Sequence, residues 1–191
     1  MKKYLYLMRH GETLFNVKRR IQGSCDSPLT ENGINQAKKA SRYFEAIELD
    51  YAYSSTAERS ADTLEIVTKN SMPYTRMKGL KERNFGIFEG ESEDIHLRKH
   101  FETIYGEYGG ETVFEVKERM VNTLTEIMEK DNHNTVLAVS HAGACRSFLA
   151  VWENPEGYLK SGVPNCCIFK YEYNDRSFKL IDIIDPNTFA D

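Results

Sequence analysis

Val136-Leu137-Ala138-Val139 is apolar at every position, so a strand running through it buries both of its faces. Such a strand belongs inside a parallel sheet with helices packed on each side. Tyr4 to Met8 reads as a second buried strand, and Tyr51 to Ser54 and Tyr74 to Met77 as two more. Helical spacing fills the intervals. Thr30 is the expected N-cap of a helix with Ile34, Ala37, Ser41, Phe44 and Ile47 on one face. Thr56 is the expected cap of another, carrying Ala57, Ala61, Leu64 and Val67. Thr112 opens the clearest amphipathic helix, with Val113, Val116, Met120, Leu124 and Ile127 inward, and Ala142 to Trp152 has helical composition. Cys166 to Tyr173 and Phe178 to Ile184 read as two strands joined by a polar turn. Strands alternating with helices imply an α/β three-layer sandwich, its central sheet mostly parallel.

The 191 residues suit one domain over 1–191, with a loop-rich stretch from Lys78 to Gly110 that could form a lid or insertion. With 25 Lys and Arg against 29 Asp and Glu, the net charge of -4 argues against a nucleic-acid partner. No apolar run approaches the ~20 residues that span a bilayer. The opening Met1 to Met8 imitates a signal peptide only until Arg9, His10 and Glu12 interrupt it. Cys25, Cys145, Cys166 and Cys167 offer no C-x-x-C pair, and the vicinal two fall in a strand-like stretch. Free thiols and a cytoplasmic location are expected.

Ligands of open α/β sheets collect beyond the carboxyl ends of the strands. Past the first strand stand Arg9, His10, Gly11 and Glu12; past the second, Ser54, Ser55 and then Arg59; past the buried fourth, Ser140, His141, Ala142 and Gly143. Glu82 lies in the intervening loop. Two arginines, two histidines and a carboxylate thus converge on one sheet edge. Guanidiniums match phosphate oxygens, a neutral imidazole can attack phosphorus, and a carboxylic acid can protonate a departing oxygen. The positive end of the helix beginning near Thr56 could add to the anion site. The arginines are expected to keep His10 unprotonated.

Leu7-Met8-Arg9-His10-Gly11-Glu12-Thr13, followed by Asn16, Gln22-Gly23, Asp26, Pro28-Leu29-Thr30, Gly33 and Gln36-Ala37, resembles the R-H-G motif region of the histidine phosphatase superfamily. Ser54-Ser55 with Arg59, Glu82 with Phe85-Gly86 and Glu89-Gly90, and Ser140-His141-Ala142-Gly143 extend the resemblance to about residue 152. It implies a phosphoglycerate mutase-like fold, with His10 as the phosphorylated nucleophile and Glu82 as the proton donor. It further implies a phosphate pocket of Arg9, Arg59 and His141. Asn16, Gln22, Gly23, Ala142 and Arg83 would line the substrate side. The chain departs from the family pattern at Ala57-Glu58, at Asp62 and at Ala142, none of which removes a catalytic group.

The resemblance leaves three activities. These are a metal-independent phosphatase acting on a small phosphorylated metabolite without a cofactor, a cofactor-dependent phosphoglycerate mutase, and a non-catalytic phospho-ligand binder. Mutases of the family carry a longer insertion between the Glu and second-His motifs. Here 59 positions separate Glu82 from His141, as in the compact phosphatases, although Arg83 after Glu82 is a mutase feature. Arg83, Arg98 and Lys99 are candidates for holding a second anionic group. His96 and His100 have helical i, i+4 spacing but no companion carboxylate, so no metal site is expected. The acidic run from Glu89 to Asp94 reads as a solvated face, and Phe148, Leu149 and Trp152 as core.

Overall fold

Six strands share one sheet: β1 (Lys3–Arg9), β2 (Tyr51–Ser55), β3 (Tyr74–Met77), β4 (Thr135–Ser140), β5 (Ile168–Asn174) and β6 (Ser177–Ile184). Their spatial order is β3-β2-β4-β1-β5-β6. The first four in that order run parallel, and β5 and β6 add an antiparallel hairpin at the far edge. The computed structural model describes residues 2–97, 101–159 and 162–189. Arg98, Lys99 and His100 lie outside the described residues, as does the side chain of His96.

The apolar strands behave as their alternation demands. Leu5, Leu7, Val136 and Ala138 point to one side, against α5 (Val113–Glu129) and α6 (Ala142–Trp152). Tyr6, Met8, Leu137 and Val139 point to the other, against α2 (Glu31–Phe44) and α3 (Glu58–Val67). Two smaller helices, α1 (Leu14–Val17) and α4 (Phe101–Glu107), sit in the connections. Phe148 and Leu149 are core, and Trp152 packs against them. No helix among the described residues is long and apolar enough to cross a membrane.

Several local expectations change. Thr30 and Thr112 do cap their helices, the latter in a reciprocal box with Glu115. Thr56 does not. The α3 cap is Ala57, without a side-chain bond, because Ser55 Oγ already accepts the Ala57 amide at 3.1 Å. Cys166 and Cys167 precede β5 rather than lying in it, and Cys166 turns the chain with φ at 60°. The described parts of the segment, 78–97 and 101–110, contain 3-10 turns and α4.

Parallel pairing puts the ends of β1 and β4 side by side, Arg9 opposite Ser140, so His10 and His141 emerge together. The loop after β1 is then clamped by the start of α2. Thr30 N–H donates to Glu12 O at 2.9 Å, and the Thr30 hydroxyl to the Glu12 carboxylate at 2.6 Å. Gly33 is required here, since a Cβ would stand 2.1 Å from Glu12 O. Gly33→Ala is therefore expected to lower stability by about 1–3 kcal/mol, read from the denaturant midpoint. An unchanged midpoint would show that the loop relaxes freely.

Candidate active site

His10 is buried at the end of β1, and its backbone is fixed from three sides. Its N–H donates to Ser140 O at 3.0 Å; its carbonyl accepts from Cys166 N at 3.2 Å and from Asn165 Nδ2 at 3.2 Å. The side chain is oriented by its own neighbour. Nδ1 lies 2.7 Å from Gly11 O, and a carbonyl can only accept, so Nδ1 carries the proton and Nε2 the lone pair. Nε2 faces Arg59 Nε at 3.3 Å.

Arg59 enters from the first turn of α3 and is 1% exposed. All five of its donors are engaged. Besides His10, it binds Asp26 Oδ1 at 2.8 Å and the carbonyls of Cys25, Gln22 and Gly23 at 3.0, 3.3 and 3.1 Å. Asp26 also accepts the Glu58 amide at 2.6 Å. A carboxylate of the chain itself thus occupies the positive end of α3, which the sequence suggested for an external anion.

Glu82 occupies the start of α6 in the same way. Its Oε1 accepts from Arg83 N and Ala144 N, and its Oε2 from Gly143 N, each at 2.8 Å. Arg119 holds the backbone around it, donating to the carbonyls of Gly79, Lys81 and Glu82 at 3.0, 2.8 and 3.4 Å. Glu111 fixes Arg119 in turn with two 2.8 Å bonds rather than capping α5.

His141, the N-cap residue of α6, is 1% exposed, with its ring centroid 5.2 Å from that of His10. Its Nε2 meets Ser55 Oγ at 2.7 Å and Ser60 Oγ at 3.3 Å. Its Nδ1 is buried without a protein partner, and so is Arg9 Nε. Burial first, then the Arg59 and Arg9 guanidiniums, hold the His10 imidazole well below its ordinary value. Burial, then Arg59 and His10, act likewise on His141. The neutral His10 expected from its arginines therefore owes more to desolvation.

The profile of the histidine phosphatase superfamily (branch 1) matches residues 5–186. The chain belongs to this superfamily. It is 28% identical over 178 residues to an uncharacterized phosphatase, PhoE, of Bacillus subtilis, covering 92% of this chain and 91% of that one. It is 30% identical over 185 residues to a probable phosphoglycerate mutase, GpmB, of Yersinia pestis, covering 90% and 85%. The solved structure of Bacillus stearothermophilus YhfR is 30% identical, with a TM-score of 0.83, and the match covers 93% of this chain and 95% of that one.

In this member of the superfamily, an open cleft of ≈ 750 Å³ lies over the sheet edge. Arg9, His10, Asn16, Gln22, Glu82 and Arg83 line it, as does Ala142. Arg59, His141 and Gly23 stand behind that wall. Asn16 accepts from Thr13 N at 3.1 Å and Asn165 Nδ2 at 3.2 Å, while Gln22 spans the hydroxyls of Thr13 and Ser27. Arg83 is stacked 4.8 Å from the Tyr105 ring centroid, its Nε on Glu111 O at 2.6 Å.

One residue in these supports was misread from sequence and another was missed. Glu89 is not part of a solvated face: it accepts amides from Gly23, Ser24, Cys25 and Phe85 at 2.8 to 3.1 Å, tying two loops together. Burial pulls its pKa upward, but the bonds from Phe85, Ser24 and Cys25 outweigh it and hold the carboxyl below its ordinary value. Asn165, which links His10 O to Asn16, carries no motif signal at all.

Imidazole ¹⁵N spectra at pH 6 should show His10 and His141 both neutral, with His10 protonated at Nδ1. A resonance titrating at or above the ordinary 6.5 would contradict the buried environment. Unfolded imidazoles take up protons below about that pH and these folded ones do not, so stability should decline as pH falls through it.

Proposed function

We propose that this chain is a phosphatase that hydrolyses a small phosphorylated metabolite through a phosphohistidine on His10. One observation carries the reading: His10 Nε2 is the unprotonated ring nitrogen of a residue on the cleft wall, and the same cluster holds two buried, unpartnered nitrogens, Arg9 Nε and His141 Nδ1. Buried polar atoms left unpaired in a native fold call for a ligand or water. Arg9 Nε is a donor in every state. Ser55 or Ser60 can donate to His141 Nε2, which leaves Nδ1–H free to donate as well. A transferred phosphoryl group presents the acceptor oxygens that both require.

In the first step the His10 Nε2 lone pair exchanges its 3.3 Å contact with Arg59 Nε for phosphorus, and the bond to the substrate oxygen breaks. Arg9 and His141 bind the equatorial oxygens as charge moves onto them, and Arg59 supplies positive potential from beside Nε2. Glu82 Oε2 accepts only one amide, so it retains a lone-pair position for the proton that passes to the leaving oxygen. In the second step Glu82 takes a proton from water, which attacks phosphorus and frees His10. These fixed side chains, rather than a metal or organic cofactor, supply the charge stabilisation.

A second reading, transfer to another hydroxyl as in a mutase, is favoured by the similarity to GpmB and by Arg83 following Glu82. Arg83 is drawn onto Tyr105 and the Glu111 carbonyl, which weakens it as a clamp on substrate. A panel of phosphorylated sugars, glycerates and nucleotides, scored for both free phosphate and isomerised product, separates the two. Phosphate release that persists in EDTA is expected. Efficient interconversion of 2- and 3-phosphoglycerate with little phosphate release would replace the phosphatase reading.

His10→Ala should remove an acid-labile phosphoenzyme and lower turnover by at least about 10³-fold. Glu82→Gln should cost about 10²–10⁴-fold on alkyl phosphates and much less in phosphoenzyme formation from p-nitrophenyl phosphate, whose leaving group needs no proton. Equal losses on both substrates would remove Glu82 from the donor role.

A further inference from the structure

Five basic side chains line the cleft, and they are not equivalent. Arg9 donates to the Val163 carbonyl, Arg20 to Gly90 O at 3.1 Å, and Arg83 to Glu111 O. Lys117 on α5 and Arg146 on α6 differ from these. Each is half-buried, and among the described residues neither has a hydrogen-bond or ion-pair partner.

Their helices explain why. The positions three and four away from Lys117 are Val113, Phe114, Met120 and Val121; those around Arg146 are Ala142, Gly143, Leu149 and Ala150. None is acidic, so neither cation can form an intrahelical pair. Glu82, Glu93 and Glu156 also line the cleft, but among the described residues none of them forms an ion pair with Lys117 or Arg146. Two partly desolvated cations thus face one space with no carboxylate paired to either, in a chain whose net charge is -4.

Their placement relative to the chemistry is also defined. Ala142, Gly143, Arg146, Ser147 and Ala150 form the cleft face of α6, while Ala144, Cys145, Phe148 and Leu149 form its core face. Arg146 therefore lies one turn up the face that begins at Ala142 and Gly143, the latter holding Glu82 through its amide. At the helical rise, five residues place it roughly 7 Å beyond His141 along the axis. That offset fits a short carbon skeleton with an anion at each end. We infer that Lys117 and Arg146 form a subsite for a second anionic group of the substrate, a carboxylate or second phosphate remote from the transferred phosphoryl group. Arg146 can bind either anion through its fork, and Lys117 acts as a point charge. The inference rests on the phosphatase reading and narrows its substrate to phosphorylated acids and bisphosphates.

The test compares wild type with Lys117→Gln, Arg146→Gln and the double variant on three probes. Glycerol 3-phosphate has no second anion, 3-phosphoglycerate adds a carboxylate, and propane-1,3-diol bisphosphate adds a phosphate. Wild type should prefer at least one of the latter two over glycerol 3-phosphate, and which one is preferred distinguishes the anion. The double variant should lose on the order of 10- to 100-fold in kcat/KM on that probe, mainly through KM, with less than about threefold change on glycerol 3-phosphate. Arg146→Lys should retain most of the preference. Equal losses on all three probes, or no loss on any, would overturn the subsite. Should wild type hydrolyse none of them, calorimetric binding of the same probes decides it. A second-anion preference that vanishes in the double variant upholds the subsite while the phosphatase reading falls; binding without that difference rejects the subsite.

Discussion

A fully buried guanidinium with all five donors engaged is the constraint around which this site is assembled. Arg59 stands on the first turn of α3, yet three of its partners are carbonyls from 22–25, and the others are Asp26 and His10. A charge taken out of water requires that complement, because an unpaired one costs several kcal/mol. The 22–26 loop is consequently part of the structure around His10 rather than a loose connection. The same charge, close to His10 and His141, reinforces what burial does to both imidazoles. Stability and reactivity here have one electrostatic source.

The opposite wall follows a similar logic. Glu82 needs amide donors, and α6 offers them at its first turn because β4 ends at Ser140 and the helix starts two residues later. Arg119 and Glu111 then hold the 79–82 backbone through contacts from α5 and the segment before it. Gly143 belongs to this arrangement, since a Cβ there would approach Glu82 Oε1 to 2.7 Å. Glu89 links the two walls by binding amides on either side of the cleft.

Much of this was legible in the sequence because strand ends are. The apolar run at 136–139 demanded a central parallel strand, and reading past each strand located Arg9, His10, Arg59 and His141. Threonine caps at 30 and 112 were visible for the same local reason. What escaped depends on partners distant in the chain. Asn165 meets His10 across 155 positions, and Glu89 meets Gly23 across 66. Ser55 was named among the residues past the second strand, but nothing in the sequence tied its hydroxyl to the Ala57 amide, the amide that begins the helix expected to be capped by Thr56. Lys117 carries no signal in the sequence, and only the packing of α5 brings it to the cleft.

The helix ends change how an anion must be held. Both helix N-termini that reach the site carry internal carboxylates, Asp26 on α3 and Glu82 on α6. Neither dipole is left free for a phosphate. On the proposed reading, recognition comes from side chains, chiefly Arg9 and His141 with Arg59 lending its charge, each fixed by a strand end or a first helical turn. Those positions are determined by the sheet and cannot vary much. The outer cleft has no such restriction: Lys117 and Arg146 project from helix faces whose other sides are core. A change there alters which substrate tail fits without moving His10 or Glu82. On the proposed reading, chemistry and specificity are therefore separated along α6, its first turn belonging to the reaction and its second to the choice of substrate.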